Sequence, residues 1–219
     1  MRYDALLFDS DGVLVEPPAA ETQAAATRAA FESIGIADPD ETDVRAIVDG
    51  VTDTVLEACC RHYGLDPETF WAARERHDED SQLAAFCAGD RRVYDDVEAI
   101  RDLPEPRGIV SNNHDTTIEF VCRHFGLEPL FECTYGRPMT IESLQRKKPE
   151  PYYLERALET LSADTALYVG DSESDLLAAE RAGLDSVFVR RPHNRETRLA
   201  VEPDYEVRSL TAISSIVES

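Results

Sequence analysis

Lysine is nearly missing from this chain. Among 219 residues only Lys147 and Lys148 carry it, and the other twenty bases are arginines. Positive charge as a whole is short, because 22 bases face 44 acids for a formal net charge of −22. Such a surface repels phosphate backbones and anionic lipid, which argues against nucleic acid or membrane partners. Runs of about 18 apolar residues are also missing, so no membrane span is predicted. The opening "MRYDALLFD" lacks the basic-then-apolar layout of a secretory signal, and a soluble cytoplasmic protein is expected. Cysteine is sparse and odd in number: Cys59, Cys60, Cys87, Cys122 and Cys133 fit reduced thiols better than a disulfide framework. Excess acid is common in disordered chains, but 42% apolar content with regular periodicity indicates a folded core. What remains is a folded protein adapted to high salt (a halophilic chain), in which ions screen self-repulsion.

Short apolar runs at residues 5–9, 108–111, 166–169 and 186–189 read as strands, with weaker runs near 131–134 and 205–207. Amphipathic stretches at 116–125, 152–161 and 174–182 read as the helices between them. That alternation predicts an α/β fold, a Rossmann-like parallel sheet covered on both faces. Residues 16–89 break the rhythm with four helical stretches and no strand, which predicts an inserted all-α helical cap. The core would then be residues 1–15 and 90–219. Two near-identical stretches, "CRHYGL" and "CRHFGL", read as helix ends with glycine in the left-handed cap rather than as zinc half-sites.

Four stretches carry the chemistry. "DSDG" places Asp9 and Asp11 at the end of the first strand; by itself it could be a polar turn. Two acids there can also divide labour, one as nucleophile and one in proton exchange, with a cation relieving their repulsion. "VSNN" ends another strand in Ser111 and Asn112, where Ser111 could equally cap a helix. "RKKPEP" holds the only two lysines. "VGDSESD" brings Asp171 and Asp175 to a helix entrance, a pattern that suits Mg²⁺ but also suits the helix dipole.

Taken in this order, Asp9–Gly12, Ser111, Lys148 and Gly170–Asp175 resemble the four motifs of the haloacid dehalogenase superfamily. The pattern fits its phosphatase branch with an inserted helical cap, phosphoglycolate phosphatase-like or β-phosphoglucomutase-like. The resemblance implies Asp9 as nucleophile and Asp11 as proton donor and acceptor. It implies Mg²⁺ on Asp9, Asp11 and Asp171, with Asp175 in support. Ser111, Asn112, Gly12 and Lys148 would hold phosphate. Dehalogenases of the family lack the second acid that Asp11 supplies, and phosphonate hydrolases use a cap lysine absent here. The expectation is therefore a phosphatase acting on a small phosphorylated metabolite, as a monomer or weak homo-oligomer. A phosphosugar mutase and a non-catalytic binding or regulatory protein on the same fold are the alternatives. Arg45, Gly50, Thr52 and His114 are candidates for substrate selection.

A chain this acidic repels itself in dilute buffer. Its melting temperature should climb from low to molar KCl in thermal unfolding, and a flat or falling trend would refute adaptation to high salt.

Overall fold

The computed structural model describes residues 3–218. Six strands form one sheet: β1 (Ala5–Phe8), β2 (Arg107–His114), β3 (Cys133–Arg137), β4 (Ala166–Gly170), β5 (Asp185–Val189) and β6 (Tyr205–Val207). Every pairing is parallel, and the order is β3-β2-β1-β4-β5-β6. This is the doubly wound, Rossmann-like order, whose switch point lies between β1 and β4. Residues of β1 and β4 are buried throughout, which is why both read as unbroken apolar runs. β3 is an edge strand with Thr134 exposed, so its apolar signal was weak and its place lies two residues beyond the expected run. The crossovers are α5 (Asp115–Phe125), α6 (Tyr152–Leu161) and α7 (Glu173–Ala182). Leu7, Val110, Tyr153, Leu154, Tyr168 and Leu184 share one core in this layer.

Four further helices precede β2: α1 (Ala20–Ser33), α2 (Glu41–Gly50), α3 (Asp53–Tyr63) and α4 (Pro67–Ala88). Their starts follow local chemistry. Asp40, Thr52 and Asp66 accept main-chain N–H bonds as N-caps, and Pro67 occupies the first turn of α4. Both "CRH" repeats end helices on a left-handed glycine, Gly64 after α3 and Gly126 after α5. The main-chain N–H groups of Leu65 and Leu127 then reach back to the carbonyls of Cys60 and Cys122 at 2.9 and 2.8 Å.

The chain divides into two compact units. One holds the sheet and is built from the segment up to Pro17, Arg92–Arg137 and the chain from Arg146 onward; the other is Pro18–Arg91 with Pro138–Gln145. The second unit thus contains α1 to α4 and also a short segment after β3 that the sequence reading left with the sheet. Leu144 explains the difference, because it packs with Phe31, Ile47, Leu56 and Trp71 in the helical core. No helix among the described residues is long and apolar enough to cross a membrane.

The helical core centres on Phe31, fully buried between Phe70 and Tyr63, with ring centroids at 4.5 and 5.1 Å. Truncating it removes both ring contacts and leaves a cavity. Phe31→Ala should therefore lose about 3–5 kcal/mol in urea unfolding of this unit.

Candidate active site

The candidate acids gather at the carboxyl ends of β1 and β4, on either side of the switch point. Asp9 follows β1 and is buried, its Oδ1 accepting the Ser10 main-chain N–H at 2.7 Å. Asp171 follows β4, and Asp175 lies one turn into α7. One oxygen from each of Asp9, Asp171 and Asp175 falls within 4.8 Å of the others. Two glycines permit this crowding. A Cβ on Gly12, whose φ is +78°, would lie 1.9 Å from Asp171 Oδ2, and one on Gly170 would lie 2.2 Å from the Asp175 Cβ.

Lys148 enters this cluster from the loop before α6, buried to 3% exposure. Its Nζ lies 2.6 Å from Asp175 Oδ1 and 3.0 Å from Asp9 Oδ1. It also donates to Tyr168 Oη at 2.7 Å and to the Val110 carbonyl at 3.2 Å. Tyr168, read from the sequence only as an apolar strand residue, thus organises the site: its hydroxyl is 3.0 Å from Asp175 Oδ1. Asp175 Oδ2 accepts from the main chain of Asp171 and Ser172 at 3.1 and 3.0 Å and from Ser172 Oγ at 2.6 Å. The capping box that starts α7 and the support of Lys148 therefore use the same carboxylate. Because both its oxygens are engaged, Asp175 positions the cluster more than it offers a free metal ligand.

On the β5 side stand two residues that the sequence reading missed. His193 Nε2 is 2.6 Å from Asp171 Oδ2, and Asn194 Nδ2 donates to the carbonyls of Asp171 and Val189 at 2.9 and 3.0 Å. They lie in "RRPHN", which has no motif spacing to mark it. On the β2 side, Asn113 Nδ2 donates to Asp11 Oδ2 at 2.8 Å, and Ser111 Oγ accepts from the Asn113 main chain at 3.2 Å. Ser111 is 2% exposed and keeps its O–H to donate.

The other candidates have these partners. Asn112 Oδ1 accepts from Lys148 N at 2.7 Å and its Nδ2 donates to Lys148 O at 3.1 Å, so it pins the lysine while one N–H of its amide stays available. The Gly12 N–H donates to the Val15 carbonyl at 2.7 Å, so it is taken by the turn and not free for phosphate. His114 is 1% exposed at the start of α5, with its Nδ1 3.4 Å from Thr117 Oγ1. Arg45, Gly50 and Thr52 belong to the helical unit. There Arg45 is exposed and pairs with Glu41 at 3.4 Å, Gly50 ends α2, and Thr52 caps α3. Ser10 is fully buried and its Oγ has no hydrogen-bond partner.

The electrostatics are unbalanced. Burial pushes the Asp9 carboxyl up to about 8; Lys148 opposes this, while Asp175, Asp171 and Asp11 add repulsion. Burial also raises Asp171 against the pull of His193. Burial works against a charge on Lys148, yet Asp175 and Asp9 hold it above the ordinary lysine range. Asp175 stays low despite its burial, because Lys148, Ser172 and Tyr168 favour its charged form. Each pair of like charges at this spacing costs roughly 3–4 kcal/mol at an effective dielectric of about 20. One lysine cannot neutralise three crowded carboxylates. An oxygen-coordinated divalent cation fits both the donor set and the missing positive charge.

Comparison with known proteins agrees with this geometry. A family model described as haloacid dehalogenase-like hydrolase matches residues 3–183. The chain is 25% identical over 224 residues to a 5'-nucleotidase of Pseudomonas aeruginosa, covering 100% of this chain and 97% of that protein. It is 29% identical over 228 residues to a phosphoglycolate phosphatase of Neisseria meningitidis, covering 97% and 92%. Among solved structures, CbbY from Rhodobacter sphaeroides in complex with phosphate matches with a TM-score of 0.73 at 21% identity over 96% of each chain.

Lys148 is enclosed by four oxygens that suit a compact ammonium, whereas a guanidinium is a larger planar fork. Lys148→Arg should therefore lose about 1–3 kcal/mol in urea unfolding through overpacking. Lys147→Arg, at a half-buried position outside the cluster, should stay within about 0.5 kcal/mol of the parent.

Proposed function

The chain belongs to the haloacid dehalogenase-like hydrolase family, and on that footing we propose that it is a Mg²⁺-dependent phosphatase. Its substrate is a small phosphomonoester of the phosphoglycolate or sugar phosphate kind, cleaved through an aspartyl-phosphate on Asp9. The observation that carries this reading is the buried Asp9 carboxylate, 3.0 Å from Lys148 Nζ and crowded by Asp171 and Asp175. The relatives named 5'-nucleotidase and phosphoglycolate phosphatase support a phosphate ester as substrate. We place the protein in a salt-rich cytoplasm, on its net charge of −22 and its five unpaired thiols.

In this reading an Asp9 oxygen attacks phosphorus, and the bond from phosphorus to the leaving oxygen breaks. Asp11, held by Asn113 at 2.8 Å, gives that oxygen its proton. The alcohol departs. Asp11 then takes a proton from water as the water oxygen attacks phosphorus. The Asp9–phosphorus bond breaks, inorganic phosphate leaves, and both acids return to their starting forms. Lys148 Nζ and the Ser111 hydroxyl hold the phosphoryl oxygens where charge develops. Asp9, the Asp11 carbonyl and Asp171 would hold Mg²⁺, which when bound would supply the charge neutralisation that phosphoryl transfer needs. His193 and Asn194 keep Asp171 in place, and Tyr168 and Asp175 keep Lys148 in place.

The test is hydrolysis of p-nitrophenyl phosphate, followed by a panel of phosphate esters that includes 2-phosphoglycolate. Chelation should abolish turnover and Mg²⁺ should restore it. Asp9→Asn should lose roughly a thousandfold or more in kcat while remaining folded. Substantial turnover by folded Asp9→Asn protein would rule out the covalent route.

A further inference from the structure

A cavity of about 440 Å³ opens beside the carboxyl ends of β5 and β6, walled by Arg190, Arg191, Arg195 and Arg208 together with Tyr94 and Glu206. In a chain with two acids for every base, a wall of four arginines and one acid inverts the local sign of charge. All six residues belong to the sheet unit.

Two of the arginines are fixed. Arg190 reaches the carbonyls of Asn194 and Thr197 at 3.1 and 2.6 Å and Glu206 at 3.1 Å, and its guanidinium lies 4.6 Å from the Phe188 ring centroid. Arg191 forks onto both oxygens of Asp96 at 2.8 and 2.9 Å and reaches the Val13 carbonyl at 2.8 Å. Its guanidinium lies 3.9 Å from the Tyr94 ring centroid, and its buried Nε has no acceptor. The other two are not fixed. Arg195 and Arg208 are exposed and donate no hydrogen bond among the described residues, and Arg208 acts on Glu206 only through its charge. Two anchored guanidiniums thus form a rigid wall, and two uncommitted ones stand where they can close on an occupant.

We propose that this cavity binds a small metabolite carrying clustered oxyanions, at least two negative charges on phosphate or carboxylate groups, at a place separate from the catalytic carboxylates. Guanidinium forks match the geometry of such groups and bind them with charge-assisted, paired hydrogen bonds. The volume suits a small molecule. The four guanidiniums offset the surrounding negative field locally, which favours an anion in this cleft over the acid-rich surface around it. The loop that supplies Arg191 and Arg195 also carries His193 and Asn194, so an occupant would brace the residues that hold Asp171.

The test is calorimetric titration of metal-stripped protein with inorganic pyrophosphate and, separately, with citrate. It uses the lowest KCl at which the protein stays folded. Without metal the catalytic carboxylates repel anions, so saturable binding reports the arginine cavity. Binding of pyrophosphate alone identifies a phosphorylated ligand, and binding of citrate alone a polycarboxylate. In the double variant R195Q/R208Q affinity should fall about tenfold or more, the size of one lost charge-assisted bond. Added KCl should weaken binding to the parent. The double variant, altered only at exposed positions, should keep its melting temperature and its hydrolysis of p-nitrophenyl phosphate. No saturable binding of either anion, or equal affinity in the double variant, would overturn the proposal. A parallel loss of hydrolysis would do the same, because it would place these arginines in the catalytic site.

Discussion

The site depends on a shortage of positive charge at one buried point. Asp9, Asp171 and Asp175 converge within 4.8 Å, and the ammonium that meets them is Lys148. Breaking a buried ion pair by removing one partner costs on the order of 3–5 kcal/mol, so neither side of this arrangement is dispensable. The fold meets part of the strain by giving Asp175 enough donors to stay ionised. The remainder falls on Asp9 and Asp171, whose carboxyls are raised. Those two groups would gain most from a bound cation, and they are the ones the proposed chemistry uses.

The sheet makes this crowding possible. Parallel strands deliver their carboxyl ends to one edge, and at the switch point the chain leaves β1 and β4 in opposite directions, opening a crevice. Gly12 and Gly170 let the two strand ends approach more closely than any side chain would allow. Around them each polar group is held by another: Asn112 grips the main chain of Lys148, Asn113 grips Asp11, and His193 grips Asp171. Such support keeps side chains within the small tolerance that chemistry at phosphorus demands.

Arginine and lysine have separate uses in this protein. Arginines pair across the surface, as in Arg28 with Glu41 at 2.8 Å, brace the segment after β5, as Arg191 does with Asp96, or form buried pairs within a helix, as Arg74 does with Glu75 at 2.9 Å. The buried position beside Asp9 and Asp175 takes lysine. A guanidinium makes planar, paired contacts that suit carboxylates at an edge, whereas the ammonium of Lys148 meets four separate oxygens from Asp9, Asp175, Tyr168 and Val110.

The positions of the main strands, the helix ends and the principal acids were legible from the sequence because they rest on local rules, whereas the order of the strands came only from the fold. Apolar runs, capping residues and glycine punctuation act over a few positions, and Asp9, Asp171 and Lys148 stood out by residue type and order. The sequence alone therefore determined the α/β class, the run of helices before β2 and which acids stand at the strand ends. Other features were decided only when distant segments met. Leu144 joined the helical core because its apolar side chain found neighbours there, and nothing in its own stretch announces them. Tyr168 read as one more strand hydrophobe until burial forced its hydroxyl onto Lys148, Asp175 and the Val110 carbonyl. The side chain of Asn112 met the main chain of Lys148, and the Gly12 N–H met the Val15 carbonyl, pairings that no spacing along the chain announces. His193, 22 residues beyond Asp171, meets it because β5 lies beside β4, and the four arginines that wall the cavity with Tyr94 gather because β6 lies beside β5. A buried polar group must find its partner somewhere, and which partner it finds is set by the packing of strands rather than by spacing along the chain.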